Sequence, residues 1–359
     1  GTATFLEYLY KEIAEKNKNI EIVIGAYNYD YAVKLFQNYS NIQIVKYNSD
    51  SKLRFLVDIP RILKNQYFDY AHFQYVIPFY KPNNCKYIVT IHDILYKDFP
   101  DEFSFIYKFS RNIFFKYAAK KSDIITTVSE YSKRSIAKYF RIDINKIDIL
   151  PIGISQDFCH DYDKNTSRDF VKKNLSIQNN YILYVSRIEP RKNHELLLQA
   201  YLDLQLWKEN IDLVMVGKVY IKNQKYSELL NEIPQEAKKN IHLLENLSFD
   251  ILFELYKSAR MSVYPSKAEG FGIPIVESLA LGIPTLFSNT TAMSEFKFAE
   301  KYFIDPFDLK SLRDKIRLEL GNGIYSEKEQ EAMKENICLN YNWYNCAKKL
   351  LNILREMSS

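Results

Sequence analysis

The fold is decided by one stretch of nine residues, Glu269-Gly270-Phe271-Gly272-Ile273-Pro274-Ile275-Val276-Glu277. The apolar run Met261–Pro265 before it predicts a strand. Pro274 suits the first turn of a helix, where its missing N–H is not needed, and Gly282 and Pro284 are typical of that helix's end. We therefore predict a strand, a glycine-containing loop and a helix N-terminus, an arrangement that presents unpaired N–H groups to an anion such as a phosphate.

Two carboxylates bracket this predicted anion site. Glu269 lies in the loop, and Glu277 lies about one turn into the helix. Carboxylates accept hydrogen bonds from pairs of hydroxyl groups, so the segment indicates a ligand with both phosphates and a polyol, such as a sugar nucleotide. The structural alternative is a solvated loop glutamate and an acidic residue that stabilises a helix start. The two glutamates together, with Gly270 and Gly272 between them, favour the ligand.

The whole chain alternates strand-like and helix-like segments, which predicts βαβ units, mostly parallel sheets and an α/β fold. Strands are predicted at 20–24, 42–45, 68–73, 87–91, 124–128, 147–150, 181–185, 213–218, 241–247, 261–265, 285–289 and 302–306. Helices are predicted at 5–16, 53–64, 102–121, 130–140, 194–207, 252–258, 308–320, 326–339 and 343–355. A length of 359 residues favours two domains. The polar segment 155–176 is predicted to be an irregular linker between them.

Two further polar segments follow predicted strands, at the strand end where open α/β sheets bind ligands. His92 and Asp93 come after the strand 87–91, and the alternative there is a structural histidine. Three cations, at 187, 191 and 192, come after the strand 181–185. Such a cluster suits a diphosphate, and the alternative is a solvated loop.

Composition excludes several classes of protein. The net charge of +5 is too small to indicate nucleic acid as a partner, and no nucleic-acid-binding motif occurs. No apolar run is long enough to span a membrane. The four cysteines are scattered, so we predict reduced thiols in a cytoplasmic protein, with no disulfide and no metal site. Because no G-x-G-x-x-G occurs, a dinucleotide oxidoreductase is disfavoured.

The segment Glu269–Glu277 resembles the E-x7-E motif of retaining glycosyltransferases with the GT-B fold, in family 4. The resemblance implies two Rossmann-like domains that face each other across a cleft, with a C-terminal helix that crosses back to the first. The implied boundaries are 1–154 for the acceptor-side domain, 155–176 for the linker, 177–340 for the nucleotide-sugar domain and 341–359 for the crossover helix. Such enzymes begin one strand earlier, so Gly1 is expected to end a glycine-containing loop whose strand lies upstream.

The resemblance also assigns roles to single residues. Val89–Asp93 is similar to a T-x-H-D segment, which makes His92 a catalytic residue at the donor sugar and leaves Asp93 to orient it or to cap the next loop. Ser186–Lys192 is similar to G-R-x-x-x-x-K. The other implied roles are catalysis for Glu269, diphosphate binding for Arg187, Lys192, Gly270, Phe271 and Gly272, ribose or base binding for Glu277, Gly217, Lys218 and Leu247, and support for Ile273.

The implied reaction is transfer of a hexosyl unit from a nucleotide-diphosphate sugar to an acceptor hydroxyl, with retention and without a metal or cofactor. A saccharide or lipid-linked acceptor in bacterial surface polysaccharide or glycolipid assembly is the expected partner. The alternatives are a nucleotide-sugar epimerase and a catalytically silent subunit that binds the nucleotide sugar. Nothing in the sequence indicates an oligomeric state.

The segment Phe105–Lys121 mixes aromatic residues with cations. A basic amphipathic helix of this kind can lie on an anionic membrane, which would make the protein peripheral at the inner face of the plasma membrane. The alternative is a core helix with one solvated face. The aromatic residues fall on more than one face, which favours the core helix.

Overall fold

The computed structural model describes residues 2–221 and 223–358, which form two compact units. The first unit runs to Gly153 and resumes at Asn342, and the second is Ile154–Tyr341. Each unit has parallel sheets covered by helices, which confirms the predicted α/β class with two Rossmann-like domains. Among the described helices, none is both long and apolar enough to cross a membrane. The prediction for Gly1 lies outside the described residues.

The first unit contains a two-stranded and a four-stranded parallel sheet, with strand orders β1-β2 and β3-β4-β5-β6. Its strands are β1 (Ile22–Ala26), β2 (Ile42–Lys46), β3 (Tyr70–Gln74), β4 (Lys86–Thr90), β5 (Ile124–Thr127) and β6 (Ile147–Ile149). Its helices are α1 (Thr2–Lys16), α2 (Tyr29–Phe36), α3 (Ser51–Leu53), α4 (Ile59–Asn65), α5 (Phe105–Lys121), α6 (Glu130–Phe140) and α14 (Trp343–Ser358), and a π-helical turn, Arg54–Asp58, joins α3 to α4.

The C-terminal helix α14 returns to the first unit, as predicted. It packs against α1, where the Tyr8 ring stacks on Trp343 with 5.6 Å between the centroids. The Tyr70 hydroxyl donates to the Leu354 carbonyl oxygen at 2.8 Å, which ties the helix to β3. The aromatic contact therefore holds α14 on α1, and the hydrogen bond holds it on β3.

The second unit has one six-stranded parallel sheet, with strand order β12-β11-β10-β7-β8-β9. Its strands are β7 (Asn180–Val185), β8 (Ile211–Val216), β9 (Ile241–Leu244), β10 (Met261–Tyr264), β11 (Thr285–Ser288) and β12 (Phe303–Ile304). Its helices are α7 (Lys164–Leu175), α8 (His194–Asp203), α9 (Gln224–Asn231), α10 (Phe249–Ser258), α11 (Ile273–Ala280), α12 (Leu309–Gly321) and α13 (Glu327–Asn340).

The order of the strands sets the place of the site. The chain builds β7, β8 and β9 toward one edge, then returns to add β10 beside β7 and continues to the other edge. Ligands bind at such a reversal, outside the carboxyl ends of the two central strands. Tyr181–Tyr184 in β7 and all of β10 are buried, as expected for strands covered on both faces. The two central strands thus hold their following loops on a rigid base.

Segment 155–176 corrects one prediction. It contains a 3-10 turn, Gln156–Cys159, and the helix α7, so the prediction of an irregular segment is wrong. The carboxylate of Asp163 caps α7 by accepting from the N–H groups of Asn165 and Thr166. Along α7 the buried positions are Ser167 and Val171, so the sequence shows no apolar stripe that would predict a helix.

The cysteines correct a second prediction. Cys159 and Cys338 form a disulfide, with 5.7 Å between their Cα atoms, whereas Cys85 and Cys346 are free and buried. The bonded cysteines are 179 residues apart, so their spacing in the sequence carries no sign of the pairing. The fold brings them together by placing the 3-10 turn Gln156–Cys159 beside α13.

Several predicted boundaries also move. The helix predicted at 194–207 ends at Asp203, because Gln205 adopts a left-handed conformation with φ of 51°. The strand predicted at 241–247 ends at Leu244. The helix predicted from residue 102 begins at Phe105, where the Ser104 hydroxyl caps it. The helices α2 and α9 were not predicted.

Candidate functional site

The candidate site lies where the loops after β7 and β10 meet. The Lys267 N–H donates to the Arg191 carbonyl oxygen at 2.8 Å, which joins the two loops directly. Asn193 is buried in a left-handed conformation, and its side-chain amide donates to the carbonyl oxygens of Pro265 and Pro306 at 3.1 and 2.8 Å. These bonds fix the loop after β7 against the loop after β10.

Four charged side chains of these loops, Glu189, Arg191, Lys192 and Glu269, form what we call the ionic cluster. Arg191 pairs with Glu189 at 2.6 Å and with Glu269 at 3.0 Å. The Lys192 ammonium donates to the other oxygen of the Glu269 carboxylate. The cluster thus contains two cations and two carboxylates, with Glu269 shared by both cations.

The surroundings of Glu269 keep it ionised. Burial acts to raise the pKa of its carboxyl, but the charges of Lys192 and Arg191 outweigh burial and hold the pKa at about 2. Burial lowers the pKa of the Lys192 ammonium, and Glu269 opposes that shift. Only 14% of the Lys192 side chain is exposed, so its charge acts in a partly desolvated setting where electrostatic interactions are strong.

The helix α11 begins at this cluster. Gly272 precedes it with φ of 118°, a conformation that favours glycine, and a Cβ there would meet Ile275 Cδ1 at 3.0 Å. Pro274 stands in the first turn, as predicted. A small cleft opens here, lined by Tyr184, Val185, Ser186, Lys192, Tyr264, Ser266, Glu269, Gly272, Pro274 and Ile275. The positive end of the helix and the Lys192 ammonium thus belong to one cleft, which suits an anion.

Glu277, the second carboxylate of the motif, lies in a different setting. The hydroxyl of Tyr256, on α10, donates to its Oε2 at 3.1 Å. Burial raises the pKa of Glu277 to about 7, and the Tyr256 hydrogen bond opposes that shift. The two glutamates of one motif therefore differ in protonation behaviour, although both are only partly exposed.

Arg187, which was predicted to bind the diphosphate, contacts Tyr220 and not the ionic cluster. It is exposed, and its guanidinium lies over the Tyr220 ring at 4.6 Å from the centroid. Gly217, at the end of β8, is required by close packing, since a Cβ would meet the Ser186 carbonyl oxygen at 1.9 Å. Lys218 beside it is exposed.

The remaining predicted residues of this unit are buried or partly buried. Phe271 is buried, with its ring centroid 5.6 Å from that of Phe296 and 5.9 Å from that of Tyr341. Gly270 is buried, and Ile273 is partly buried as the first residue of α11. Leu247 is partly buried in the loop between β9 and α10.

In the first unit, His92 belongs to a group that we call the neutral cluster, made of Tyr10, His72, Gln74, Thr90 and His92. His92 Nε2 lies 2.6 Å from Gln74 Oε1, and Gln74 Nε2 lies 3.2 Å from His72 Nε2. Because the amide oxygen accepts, His92 carries its proton on Nε2. The amide nitrogen donates, so His72 Nε2 is an acceptor.

The rest of the neutral cluster agrees with that assignment. Thr90 Oγ1 lies 2.7 Å from His72 Nε2, and the Tyr10 hydroxyl lies 2.8 Å from His72 Nδ1. Burial lowers the pKa of His72 to about 4, and burial together with His72 lowers that of His92 to about 3. Asp93 accepts from the N–H of Leu95, the first residue of the following 3-10 turn, at 3.3 Å.

Some residues of these clusters were not singled out from the sequence. Arg191 was counted among three cations but given no role, although it contacts Glu269. Asn193 could have been noticed, because an asparagine directly before a helix often takes special backbone angles. Gln74 and Tyr256 carried no signal, since each acquires its partner only through packing of distant segments.

Two family models match the chain over most of its length. The model for glycosyl transferases group 1 matches residues 165–338, and the model for glycosyltransferase family 4 matches residues 1–158. The fold and the family models agree on one class, the GT-B glycosyltransferases. The chain belongs to group 1 of these glycosyltransferases.

Individual proteins give the same picture. The chain is 30% identical over 232 residues to the O-antigen chain mannosyltransferase RfbU of Salmonella typhimurium, a match that covers 64% of this chain and 59% of that protein. The chain thus spans less than two thirds of that relative.

Solved structures share the fold. A glycosyltransferase from Rickettsia africae superposes with a TM-score of 0.74 at 20% identity and covers 98% of this chain and 95% of its own. Anabaena Alr3699/HepE, solved in complex with UDP and glucose, has a TM-score of 0.76 at 13% identity and covers 99% and 96%.

Proposed function

We propose that this chain transfers a hexosyl group from a nucleotide-diphosphate sugar to an acceptor hydroxyl, with retention of the anomeric configuration. One observation carries the proposal: Lys192, Glu269 and the N-terminus of α11 share a single cleft at the reversal of the strand order. An ammonium and a helix N-terminus suit a diphosphate, and an ionised carboxylate suits sugar hydroxyls.

The proposed reaction develops negative charge on the leaving group. The bond between the anomeric carbon and the phosphate oxygen breaks, and its electron pair goes to the nucleoside diphosphate. The acceptor oxygen bonds to the anomeric carbon, and its proton passes to the diphosphate or to solvent. Lys192 and the positive end of α11 would stabilise the departing diphosphate, because charge stabilisation by preorganised groups is usually the largest catalytic term. These protein charges take the part that a metal has in other transferases, so we propose a metal-independent reaction.

The other roles follow from the surroundings of each residue. Glu269 would accept hydrogen bonds from sugar hydroxyls while its ion pairs hold it in place. Glu277 would accept from the ribose hydroxyls, with Tyr256 fixing its carboxylate. We keep His92 as the proposed catalytic contact to the donor sugar, a role that the family resemblance implies. Because its Nε2 proton is held by Gln74, the neutral ring would offer Nδ1 as an acceptor to a sugar hydroxyl without a buried charge.

The relatives support the acceptor class. The matched Salmonella protein is named for O-antigen chains, and another relative is the lipopolysaccharide 1,2-N-acetylglucosaminetransferase of the same organism. We therefore propose a saccharide or lipid-linked acceptor in surface polysaccharide assembly, on the cytoplasmic side of the membrane. A nucleotide-sugar epimerase would use the same donor site but would need no acceptor.

The first test is a thermal-shift screen with nucleoside diphosphates and their sugars, with and without EDTA. A ligand that binds the native state raises the unfolding midpoint. At a concentration one hundred times its Kd it increases the free energy of unfolding by about 2.7 kcal/mol. We expect one sugar nucleotide to stabilise the protein equally in both conditions. No stabilisation of the folded protein by any of them would contradict the donor site.

The stabilising donor is then incubated with acceptor saccharides, and the product is followed by NMR. Transfer with an unchanged anomeric configuration supports the whole proposal, and an inverted product removes the retaining part. Conversion of the donor without an acceptor indicates the epimerase. Binding without any reaction, across a broad acceptor set, indicates the silent subunit.

A further inference from the structure

The disulfide between Cys159 and Cys338 lies beside the helix that begins at the candidate site. Cys159 ends the 3-10 turn Gln156–Cys159, and Cys338 lies near the end of α13. Both segments pack on α11, the helix whose N-terminus lies at the cleft. The bond therefore joins two segments that hold one helix in place. Both cysteines are partly exposed, so small dissolved thiols can reach them.

Two polar contacts accompany the bond. The Tyr162 hydroxyl donates to the carbonyl oxygen of Leu281, the C-cap residue of α11, at 2.9 Å. Asp161 pairs with Lys334 of α13 at 2.7 Å. The Asp161 side chain is 97% exposed, so solvent screens this ion pair and it adds little to stability. The covalent bond is therefore a much stronger link between the turn and α13 than the ion pair.

The turn also brings an aromatic side chain close to the motif. Phe158, the neighbour of Cys159, is 2% exposed, and its ring lies edge-on to that of Tyr256 with 5.8 Å between the centroids. It makes a second edge-on contact with Phe253 at 5.1 Å. The hydroxyl of Tyr256 in turn donates to the Glu277 carboxylate at 3.1 Å. A continuous set of contacts thus leads from the disulfide to this carboxylate.

The proposed reaction determines the conditions around this bond. A nucleotide-sugar transferase on the cytoplasmic side of a membrane works among reduced thiols, where disulfides are usually transient and often redox-sensing. Closing the bond removes two electrons and two protons from the two thiols, and a dissolved disulfide accepts them and leaves as two thiols. The state of the cysteine pair would then follow the ratio of thiol to disulfide around it.

We propose that Cys159 and Cys338 form a thiol–disulfide switch that sets how firmly Glu277 is held for the ribose of the donor. In the oxidised protein the bond keeps the turn against α13, so Phe158 fixes the Tyr256 ring and its hydrogen bond to Glu277. Reduction releases the turn, and the donor then binds about fivefold more weakly. The inference rests on the proposed role of Glu277 at the ribose. Phe158 and Tyr256 are positioning residues in it.

The alternative is a purely structural disulfide. Such a bond stabilises the fold by restricting the unfolded chain and leaves ribose binding unchanged. Reduction lowers the melting temperature in both cases, so melting serves as the check of folding and ligand binding is the readout.

The test compares UDP, GDP and ADP with their dideoxy analogues, which keep the base and the diphosphate but lack both ribose hydroxyls. The full chain is oxidised with glutathione disulfide or reduced with dithiothreitol, and alkylation with mass spectrometry confirms the state of each cysteine. Isothermal titration calorimetry gives Kd for each form. For the diphosphate that binds, we expect Kd about fivefold lower in the oxidised protein. Its dideoxy analogue should bind both forms equally, since it offers Glu277 no hydroxyl pair.

Four variants separate the steps of the argued path. Cys338→Ser cannot form the bond, so it should bind like the reduced wild type under both conditions. Cys85→Ala removes a free cysteine of the first unit and is the matched control, which should keep the full response. Tyr256→Phe keeps the ring but lacks the hydroxyl, and Phe158→Leu lacks the edge-on ring contact. Both should form the disulfide and lose the response.

Any of four results would overturn the proposal. They are equal Kd values for the diphosphate in the two forms, an equal response of the dideoxy analogue, a response that survives in Cys338→Ser, and a pair that stays oxidised in about a hundredfold excess of reduced over oxidised glutathione. Failure of the donor site itself is distinguishable, because no nucleoside diphosphate would then bind either form. That result would remove the role of Glu277 and this inference with it.

Discussion

The two units place chemically different clusters at the carboxyl ends of their parallel strands. The ionic cluster of the second unit holds two cations and two carboxylates, and its central glutamate stays ionised with a pKa of about 2. The neutral cluster of the first unit holds two histidines whose pKa values are lowered to about 4 and 3 by burial. In the second unit, oppositely charged partners thus keep Glu269 ionised, whereas in the first unit burial keeps the two histidines neutral. The first arrangement suits phosphate and sugar, and the second suits a fixed, uncharged hydrogen-bonding group.

The largest effect should come from the centre of the ionic cluster. Glu269→Gln keeps the shape of the side chain but removes the charge that Lys192 and Arg191 share, so kcat/KM for transfer should fall by about a thousandfold. The matched control is Glu189→Gln, which removes the other carboxylate of the cluster and should cost about tenfold or less. Steady-state kinetics with the donor found by the screen measure both. Equal losses would show that the total charge of the cluster matters, and not contact of Glu269 with the sugar.

The cations offer the next test. Lys192→Ala should weaken binding of the nucleoside diphosphate by about a hundredfold, because a charged hydrogen bond in a partly desolvated cleft is lost. Arg187→Ala should weaken it by about fivefold or less, since Arg187 is exposed over Tyr220. Isothermal titration calorimetry gives both constants. An equal loss in the two variants would mean that Arg187 leaves Tyr220 and closes on the diphosphate when the donor binds.

These clusters also mark what sequence reasoning could reach. The strand and helix around the motif, the glycine at 272 and the proline at 274 obey local rules of backbone geometry, so their placement followed from nearby residues. Lys192 could be proposed because cations after a buried strand point toward the ligand edge of a sheet. The resemblance to a known family supplied the roles, and the fold placed Lys192 in contact with Glu269.

The rest depends on contacts between distant residues. Arg191 and Glu269 are separated by 78 residues, and Gln74 and His92 by 18. The low pKa of Glu269 and the high pKa of Glu277 arise from neighbours that no local pattern reveals. The same holds for the bond between Cys159 and Cys338, and for α7, which buries too few apolar residues to be recognised as a helix.

A smaller effect is expected for Glu277, whose carboxyl has a raised pKa, whereas that of Glu269 is lowered. Its pKa is raised from 4.5 to about 7, so between these values the folded protein holds a proton that the unfolded chain releases. Wild-type stability should therefore fall as the pH rises through this window. Glu277→Gln removes the ionisable group. The difference in the free energy of unfolding between this variant and the wild type should therefore shift in favour of the variant by on the order of 2 kcal/mol from pH 4.5 to above pH 7.

Urea unfolding of both proteins at these two pH values measures the difference. Glu245→Gln makes the same change at an exposed position after β9 and is the matched control. A Glu277→Gln variant whose stability runs parallel to the wild type at both pH values would contradict a protonated Glu277, and with it the contrast between the two motif glutamates.

The smallest effect should come from the neutral cluster, through Gln74 as a positioning residue for His92. Gln74→Leu removes the acceptor for His92 Nε2, so kcat should fall by about tenfold while KM for the donor stays nearly constant. Gln74→Glu keeps an acceptor but adds a negative charge, which favours the imidazolium and should raise the pKa of His92. NMR of the imidazole nitrogens should show His92 neutral at pH 5 in the wild type and protonated there in the glutamate variant. If the leucine variant keeps the wild-type kcat, Gln74 has only a packing role. If the glutamate variant leaves His92 neutral at pH 5, burial alone sets the protonation state of His92, and its hydrogen bond to residue 74 has no part in it.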